Sequence, residues 1–426
     1  MQTAKMQPVS PWLLSLGLVF SVATQLRLPG LPLGLGEVLL LMWLLTTVVS
    51  ANNWRSPALA CVLALTLVGA LFLSAGYFVT VYPEGQLRPP ALHDTLAYIF
   101  CAVLAVNYAR LADKYENSLP AMLLWAFLLS TLLALVLGVI ARDWSGMDVM
   151  YYHTRWQHLS DNPNQFALLA LPLPFLALHL ILRQSENQNL LMLTLLGLLA
   201  LGLGWYSQSD ALTLAWVGGG LVAALALYGK YPKLSTSAQH TAPRARRIAA
   251  LLMFLMVAGS AWQWRDVAVQ VTQGTGTKTK TGTCSNLMGT PENPINADQN
   301  QVSIRLCLWR NALTAIQYAP LTGMGPGPHS GFIKPFEGEE AHNTLLDWGT
   351  QTGLVGAATL VGYLTWLLWQ VMRCRHYELV AMLLALYGFA MFHLMLRQPL
   401  FWIVPLLALQ LALHSDASNS DATLKK

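Results

Sequence analysis

Charge is scarce in this chain of 426 residues: 11% of it is Asp, Glu, Lys or Arg, against 55% hydrophobic residues. Soluble domains carry ~25% charged residues, so a soluble globule is excluded. The chain also lacks the marks of several other classes. No GxxxxGK[ST] segment is present, so no loop of that kind cradles a nucleotide phosphate. No His pair at i, i+4 comes with a carboxylate, and no Cys/His cluster has metal-ligand spacing, so no metal site is expected. The apolar run after Pro11 has no basic cluster before it and no small-residue cleavage site after it. It reads as a first membrane span rather than a cleavable signal. No internal repeat divides the chain into two halves.

What the chain does have is apolar blocks of about twenty residues, the length that spans a hydrocarbon core. Twelve spans are expected near 12–28, 33–51, 57–80, 92–110, 118–140, 162–182, 188–207, 211–229, 247–263, 353–372, 377–396 and 399–414. With the N-terminus inside, the inner segments hold 14 Lys and Arg and the short outer loops hold five. The positive-inside rule is then met. The expected fold is an all-α polytopic membrane protein in four parts. These are nine spans over 1–263, a long outer loop over 264–352, three spans over 353–414 and an inner tail over 415–426.

The outer loop has its own organisation. The segment GTGTKTKTGTCSN reads as a hairpin or mobile strand pair. Gln301 to Tyr318 reads as an amphipathic helix, with Ile304, Leu308, Ala312, Ala315 and Ile316 along one face. Pro320 and the glycines after it stop that helix. Of the five cysteines, Cys61 and Cys101 fall in spans and Cys374 falls inside. Cys284 and Cys307 share the oxidising outer side, where a disulfide between them would tie the hairpin to the helix.

Chemistry-bearing residues gather on the same side. All five basic residues of the short outer loops are arginines: Arg27, Arg88, Arg142, Arg155 and Arg397. Snorkelling at span ends explains any one of them. A guanidinium fork, however, grips phosphate in a bidentate way and stays charged. Arg142, Arg155, Arg305 and Arg310 are the candidates for holding a diphosphate, with Arg88 and Arg397 weaker. Five histidines lie outside or at the outer boundary: His93, His153, His158, His329 and His342. His342 differs by position. It follows a turn rich in glycine and proline (Gly323, Gly325, Pro326, Gly327, Pro328) and an acidic patch (Glu337, Glu339, Glu340), and directly precedes an apolar helix. An imidazole there suits general-base work near neutral pH. Asp161-Asn162-Pro163-Asn164 reads as a helix start facing outward, and Ser207 to Asp210 as a polar turn capped by Asp210.

Taken in order, these pieces resemble the O-antigen ligase and polymerase superfamily. The family motif of His-Asn, an apolar residue and Gly-x-x-Gly is matched by His342-Asn343, Leu346, Gly353 and Gly356. Its upstream Arg, Trp and Pro-x-x-Gly-x-Gly are matched by Arg305, Trp309, Pro320, Gly323 and Gly325. An Arg before an Asn-Pro-Asn-like helix start is matched by Arg155 and Asn162 to Asn164. Two positions depart. Gln351 stands where many members have an acid, and Ser209-Asp210 replaces a Ser-Arg found in many ligases. Members with Asp in that turn resemble proteins of exopolysaccharide assembly. The resemblance implies a GT-C-like membrane fold and a cofactor-free, metal-independent, inverting transfer on the periplasmic side of a bacterial inner membrane. The donor would be a glycan on undecaprenyl diphosphate, and the acceptor a glycan or lipid A–core hydroxyl. His342 would be the base, the arginines would bind the diphosphate, and Asn343, Asn164, Gly323, Gly325 and Trp309 would support them. The lipid bilayer is a partner and nucleic acid is not. Ligase, polymerase and protein O-oligosaccharyltransferase stay open, and a transporter or flippase is the alternative from another class. Against transport, the span centres are nearly free of charge.

Overall fold

The computed structural model describes residues 9–28, 33–48, 56–80, 89–111, 115, 118–140, 146–151, 154–183, 189–228, 243–274, 297–329 and 339–424. Arg88, Arg142, His153, Cys284 and, apart from Gly274, the segment read as a hairpin lie outside them. The described elements are α1 (Val9–Phe20), α2 (Leu35–Thr47), α3 (Pro57–Thr80), α4 (Pro89–Leu111), α5 (Leu119–Ile140), the short antiparallel pair β1 (Met150–Tyr151) and β2 (Arg155–Trp156), α6 (Pro163–Ala170), α7 (Leu173–Leu182), α8 (Leu190–Tyr206), α9 (Asp210–Tyr228), α10 (Pro243–Gly274), α11 (Ala297–Tyr318), α12 (Thr344–Arg373), α13 (Tyr377–Ala390) and α14 (Pro399–Leu424). Five of these helices begin on proline. Its fixed φ suits the first turn, and the missing N–H there would have had no helical partner.

Every expected span falls on an apolar helix. Seven are long and apolar enough to cross a membrane: α3, α4, α5, the α6–α7 pair, α9, α10 and α12. The other five have apolar parts of 10–17 residues, α14 running on beyond its own to Leu424. They rise about 15–26 Å, short of a ~30 Å hydrocarbon core. This is an all-α membrane protein, and large side chains such as Leu67, Leu71, Val139 and Phe254 point outward from it. Such an apolar exterior belongs in lipid. The α6–α7 pair is the hub, buried over 89% of its length, with α5, α8, α10 and α13 against it. It breaks at Leu171-Pro172, where Trp216 Nε1 donates to the Leu171 carbonyl at 3.1 Å. A broken helix at membrane depth is tolerated when protein re-satisfies its backbone.

The long outer helix, α11, buries Leu308, Ala312, Ala315 and Ile316, the face its periodicity indicated, and exposes Arg310 and Leu313. Beyond it, Pro320 to Gly325 runs between α3 and α12. α12 is interrupted at Gly353, whose φ is 68°. Across this break Met324 N donates to Thr350 O at 2.8 Å, Gly325 N to Gln351 O at 3.0 Å, and Leu354 N to Pro320 O at 2.8 Å. The turn thus takes up the hydrogen bonds the break would leave open. Backbones this close leave no room for side chains. A Cβ on Gly325, at φ 83°, would lie 2.6 Å from Tyr77 N, and one on Gly323 would meet the Gln351 carbonyl. Gly325→Val is therefore expected to lower stability by about 2–4 kcal/mol. A matching fall in melting temperature in detergent would confirm it, and an unchanged one would contradict it.

Three sequence expectations are corrected. The first span was expected to run to 28, but α1 ends at Phe20 and residues 21–28 form a turn with one short 3-10 stretch, Thr24–Leu26. The eleventh span was expected to run to 396, because apolar residues continue through Leu396. Instead α13 ends at Ala390 and residues 391–398 form a loop. Thr344 holds that loop: its Oγ1 donates to His393 O at 2.6 Å and accepts from Met395 N at 2.9 Å. At the 207–210 turn, Asp210 is the first helical residue rather than the cap. Ser209 fills that position, with Leu212 N donating to its Oγ and Thr213 N to its carbonyl.

Candidate active site

The stretch Ala341 to Asp347 builds the position of His342. Asn343 caps α12, its Oδ1 accepting from Leu345 N and Leu346 N, both at 3.1 Å. Asp347, one turn on and buried, reaches back to accept from Ala341 N at 2.7 Å and Asn343 N at 3.1 Å. Trp309 Nε1 of α11 donates to Ala341 O at 3.1 Å. His342 therefore sits between two clamped residues, at φ 52°. That left-handed conformation costs a non-glycine residue about 1–2 kcal/mol. None of these contacts uses its imidazole, which is open to solvent on one side.

The surroundings carry charges of both signs, arginines among them. Arg305, one helical turn before Trp309, is half-buried, with its guanidinium 5.9 Å from the Phe392 ring centre. Arg155, on β2, donates from Nε to Ser207 O at 3.1 Å and from Nη2 to Gln208 O at 3.0 Å. The polar turn thus orients this fork. Asp210 lies within electrostatic reach of both arginines. It stands where a third arginine was expected. His393, which the sequence did not single out, is buried, and its ring lies 4.6 Å from that of Phe389. Burial pushes its pKa down to about 3, with Arg305, His342 and Arg155 adding to the effect. These three groups therefore share one electrostatic neighbourhood with His393. No signal in the sequence marks His393, since it lies in what reads as the end of a span.

The pKa of His342 is lowered from 6.5. Crowding by protein on the closed side is the main cause, opposed by Glu340 and Glu339 and assisted by Arg305 and Arg397. The imidazole is therefore neutral at pH 7 and can accept a proton. A base is active above its pKa, so the acid limb of kcat/KM should have its midpoint below the 6.5 of a free imidazole. A pH–rate profile whose acid limb has its midpoint above 7 would contradict this assignment.

The remaining candidates are placed as follows. Arg397 is bound to Asp94 at 2.8 Å and Glu340 at 2.5 Å, and these carboxylates raise its pKa against the effect of burial. It ties α4 and the 391–398 loop to the segment before His342. Arg310 is exposed on α11, about 140° around the helix from Arg305. Asn162 caps α6, and the backbone N–H of Asn164 closes that cap at 2.8 Å. No hydrogen bond joins Arg310 or Asn164 to the His342 group among the described residues. His158 is buried with its ring 5.2 Å from Phe166, His93 faces Asp94, and His329 Nε2 meets Gly325 O at 2.8 Å. Cys307 is disulfide-bonded, and Cys61, Cys101 and Cys374 are not.

An apolar groove of about 480 Å³ runs between α3 and α4. Gly69, Leu73, Tyr77 and Tyr98 line it, Pro326 and Trp348 close it toward the glycine-rich turn, and Phe78 and Ile99 open it to the exterior. Elsewhere His179, His376 and Glu378 place ligand atoms within 4.8 Å of one another, the set among the described residues best able to hold a metal ion. It was not visible in the sequence spacing because His179 lies on a different helix from the other two.

Residues 165–361 match the family model described as O-antigen ligase. The chain thus carries a domain of the O-antigen ligase and polymerase superfamily. The match takes in the 207–210 turn, Arg305, Trp309, the glycine-rich turn and His342 to Gly356. No curated protein matches the chain.

Proposed function

We propose that this protein transfers a glycan from undecaprenyl diphosphate to a sugar hydroxyl at the periplasmic face of a bacterial inner membrane. In this reading all twelve apolar segments cross the bilayer, both termini are cytoplasmic, and the long loop is outside. The observation that carries it is His342, positioned by backbone contacts, neutral and within electrostatic reach of Arg305, with Arg155 and Arg305 both acting on His393 beside it. A neutral base beside fixed guanidinium groups is what transfer from a diphosphate donor requires.

The reaction then proceeds as follows. The acceptor hydroxyl gives its proton to a ring nitrogen of His342. Its oxygen bonds to the anomeric carbon of the donor sugar from the side opposite the diphosphate. The bond from that carbon to the diphosphate oxygen breaks, and the configuration inverts. Arg155 and Arg305 stabilise the charge that grows on the departing diphosphate. The groove between α3 and α4 holds part of the polyprenyl tail, and Trp309 with its helix walls the site.

Ligase, polymerase and protein-directed versions differ in acceptor. Deleting the gene separates the first two: core-only lipopolysaccharide marks a ligase, and single-repeat product or lost exopolysaccharide marks a polymerase. The transfer itself is tested with purified protein, lipid-linked glycan and candidate acceptors. Inverted product is expected. Movement of intact donor across vesicles without transfer would favour a flippase instead.

A further inference from the structure

At the far end of the bundle, roughly 24 Å along the α6–α7 pair from Pro163, lies a cluster the transfer reaction does not use. His179 Nδ1 is 2.9 Å from Glu378 Oε1, and His376 Nδ1 is 3.3 Å from the same oxygen. The imidazole rings are 5.7 Å apart and tilted by 73°, so they converge on the carboxylate rather than stack. All three side chains are buried: His179 and Glu378 at 0% exposure and His376 at 2%.

We propose that His179, His376 and Glu378 bind a divalent first-row metal ion, zinc foremost, as a structural clamp between α7 and α13. Nitrogen and oxygen ligands without sulfur suit such ions. With Zn–N near 2.0–2.1 Å, neighbouring ligand atoms in a tetrahedral site stand about 3.3–3.4 Å apart. The 3.3 Å distance matches that spacing, the 2.9 Å distance is shorter, and all three ligand atoms lie within 4.8 Å of one another. A divalent ion would be shared by the Glu378 carboxylate and both imidazoles. His376 follows a tight turn in which Arg375, at φ 60°, is exposed. The ligands come from segments 197 residues apart, 179 and 376, so the ion would join two helices that the chain connects only distantly.

The test uses full-length protein purified in detergent without a histidine tag. It is stripped with a strong chelator, reloaded with Zn²⁺ or Co²⁺, and freed of excess by gel filtration. About one equivalent of zinc per chain is expected, with a visible Co²⁺ absorption of tetrahedral type and a higher melting temperature in the loaded form. His179→Gln and Glu378→Gln should each reduce bound metal to less than about a tenth of an equivalent. The cobalt spectrum needs no variant, so a misfolded variant does not spoil the result. Wild-type protein that stays folded yet retains under a tenth of an equivalent would overturn the proposal, leaving a proton-sharing triad. So would full metal content in both folded variants. Neither outcome bears on glycan transfer.

Discussion

His342→Ala is expected to lower glycan transfer by on the order of 10²–10⁴-fold, the usual worth of a positioned general base. The protein should still insert, and its donor affinity should stay within about threefold, because no part of the imidazole serves the fold. The contacts that shape this position run through backbone atoms of Ala341 and Asn343, clamped by Asp347 and Trp309. A stricter control is His342→Asn. Asparagine tolerates the left-handed conformation that φ 52° demands, so the local backbone is preserved while the base is lost. Both variants should fail alike. If the Asn variant transfers at the wild-type rate, His342 is not the base.

The second large effect is expected at Arg305. Arg305→Ala should cost about 10²–10³-fold in turnover, the range seen when one donor to a developing anion is removed. Arg305→Lys keeps the charge but not the fork, and should recover only part of that loss. The guanidinium lies near the Phe392 ring and within electrostatic reach of Asp210, a setting that suits a flat, delocalised cation better than an ammonium. The measurement is kcat and KM with a lipid-linked donor. A loss confined to KM would mean Arg305 binds the donor without stabilising departure of the diphosphate, and no loss would remove it from the site.

Much of this was legible in the chain, for physical reasons that differ by element. Apolar runs with little charge located the seven helices that are long and apolar enough to cross a membrane, because lipid selects composition directly. The buried stripe of α11 followed from 3.6-residue periodicity, and the α6 start from Asn162-Pro163. The helix ends were less legible. Hydropathy continues through Leu396, yet Thr344, about 50 residues upstream in the chain, holds residues 391–398 as a loop. That one tertiary contact puts His393 into the electrostatic neighbourhood of His342. The grip of Asp347 on both sides of His342 was likewise hidden, since a carboxylate in a first helical turn ordinarily signals only a favourable dipole. The glycines at 323, 325 and 353 read as turn and motif residues. Their shared task, backbone passing backbone between α3 and α12, needs three segments in contact and cannot be inferred from any one of them.

Chemical rescue goes to the centre of the mechanism. Purified His342→Ala would be supplied with lipid-linked glycan, acceptor and imidazoles of graded basicity. A free imidazole should restore transfer in proportion to its concentration, with the rate following its pKa, and the product should be inverted. Transfer by the variant at the wild-type rate without any added imidazole would show that the proton leaves by another route.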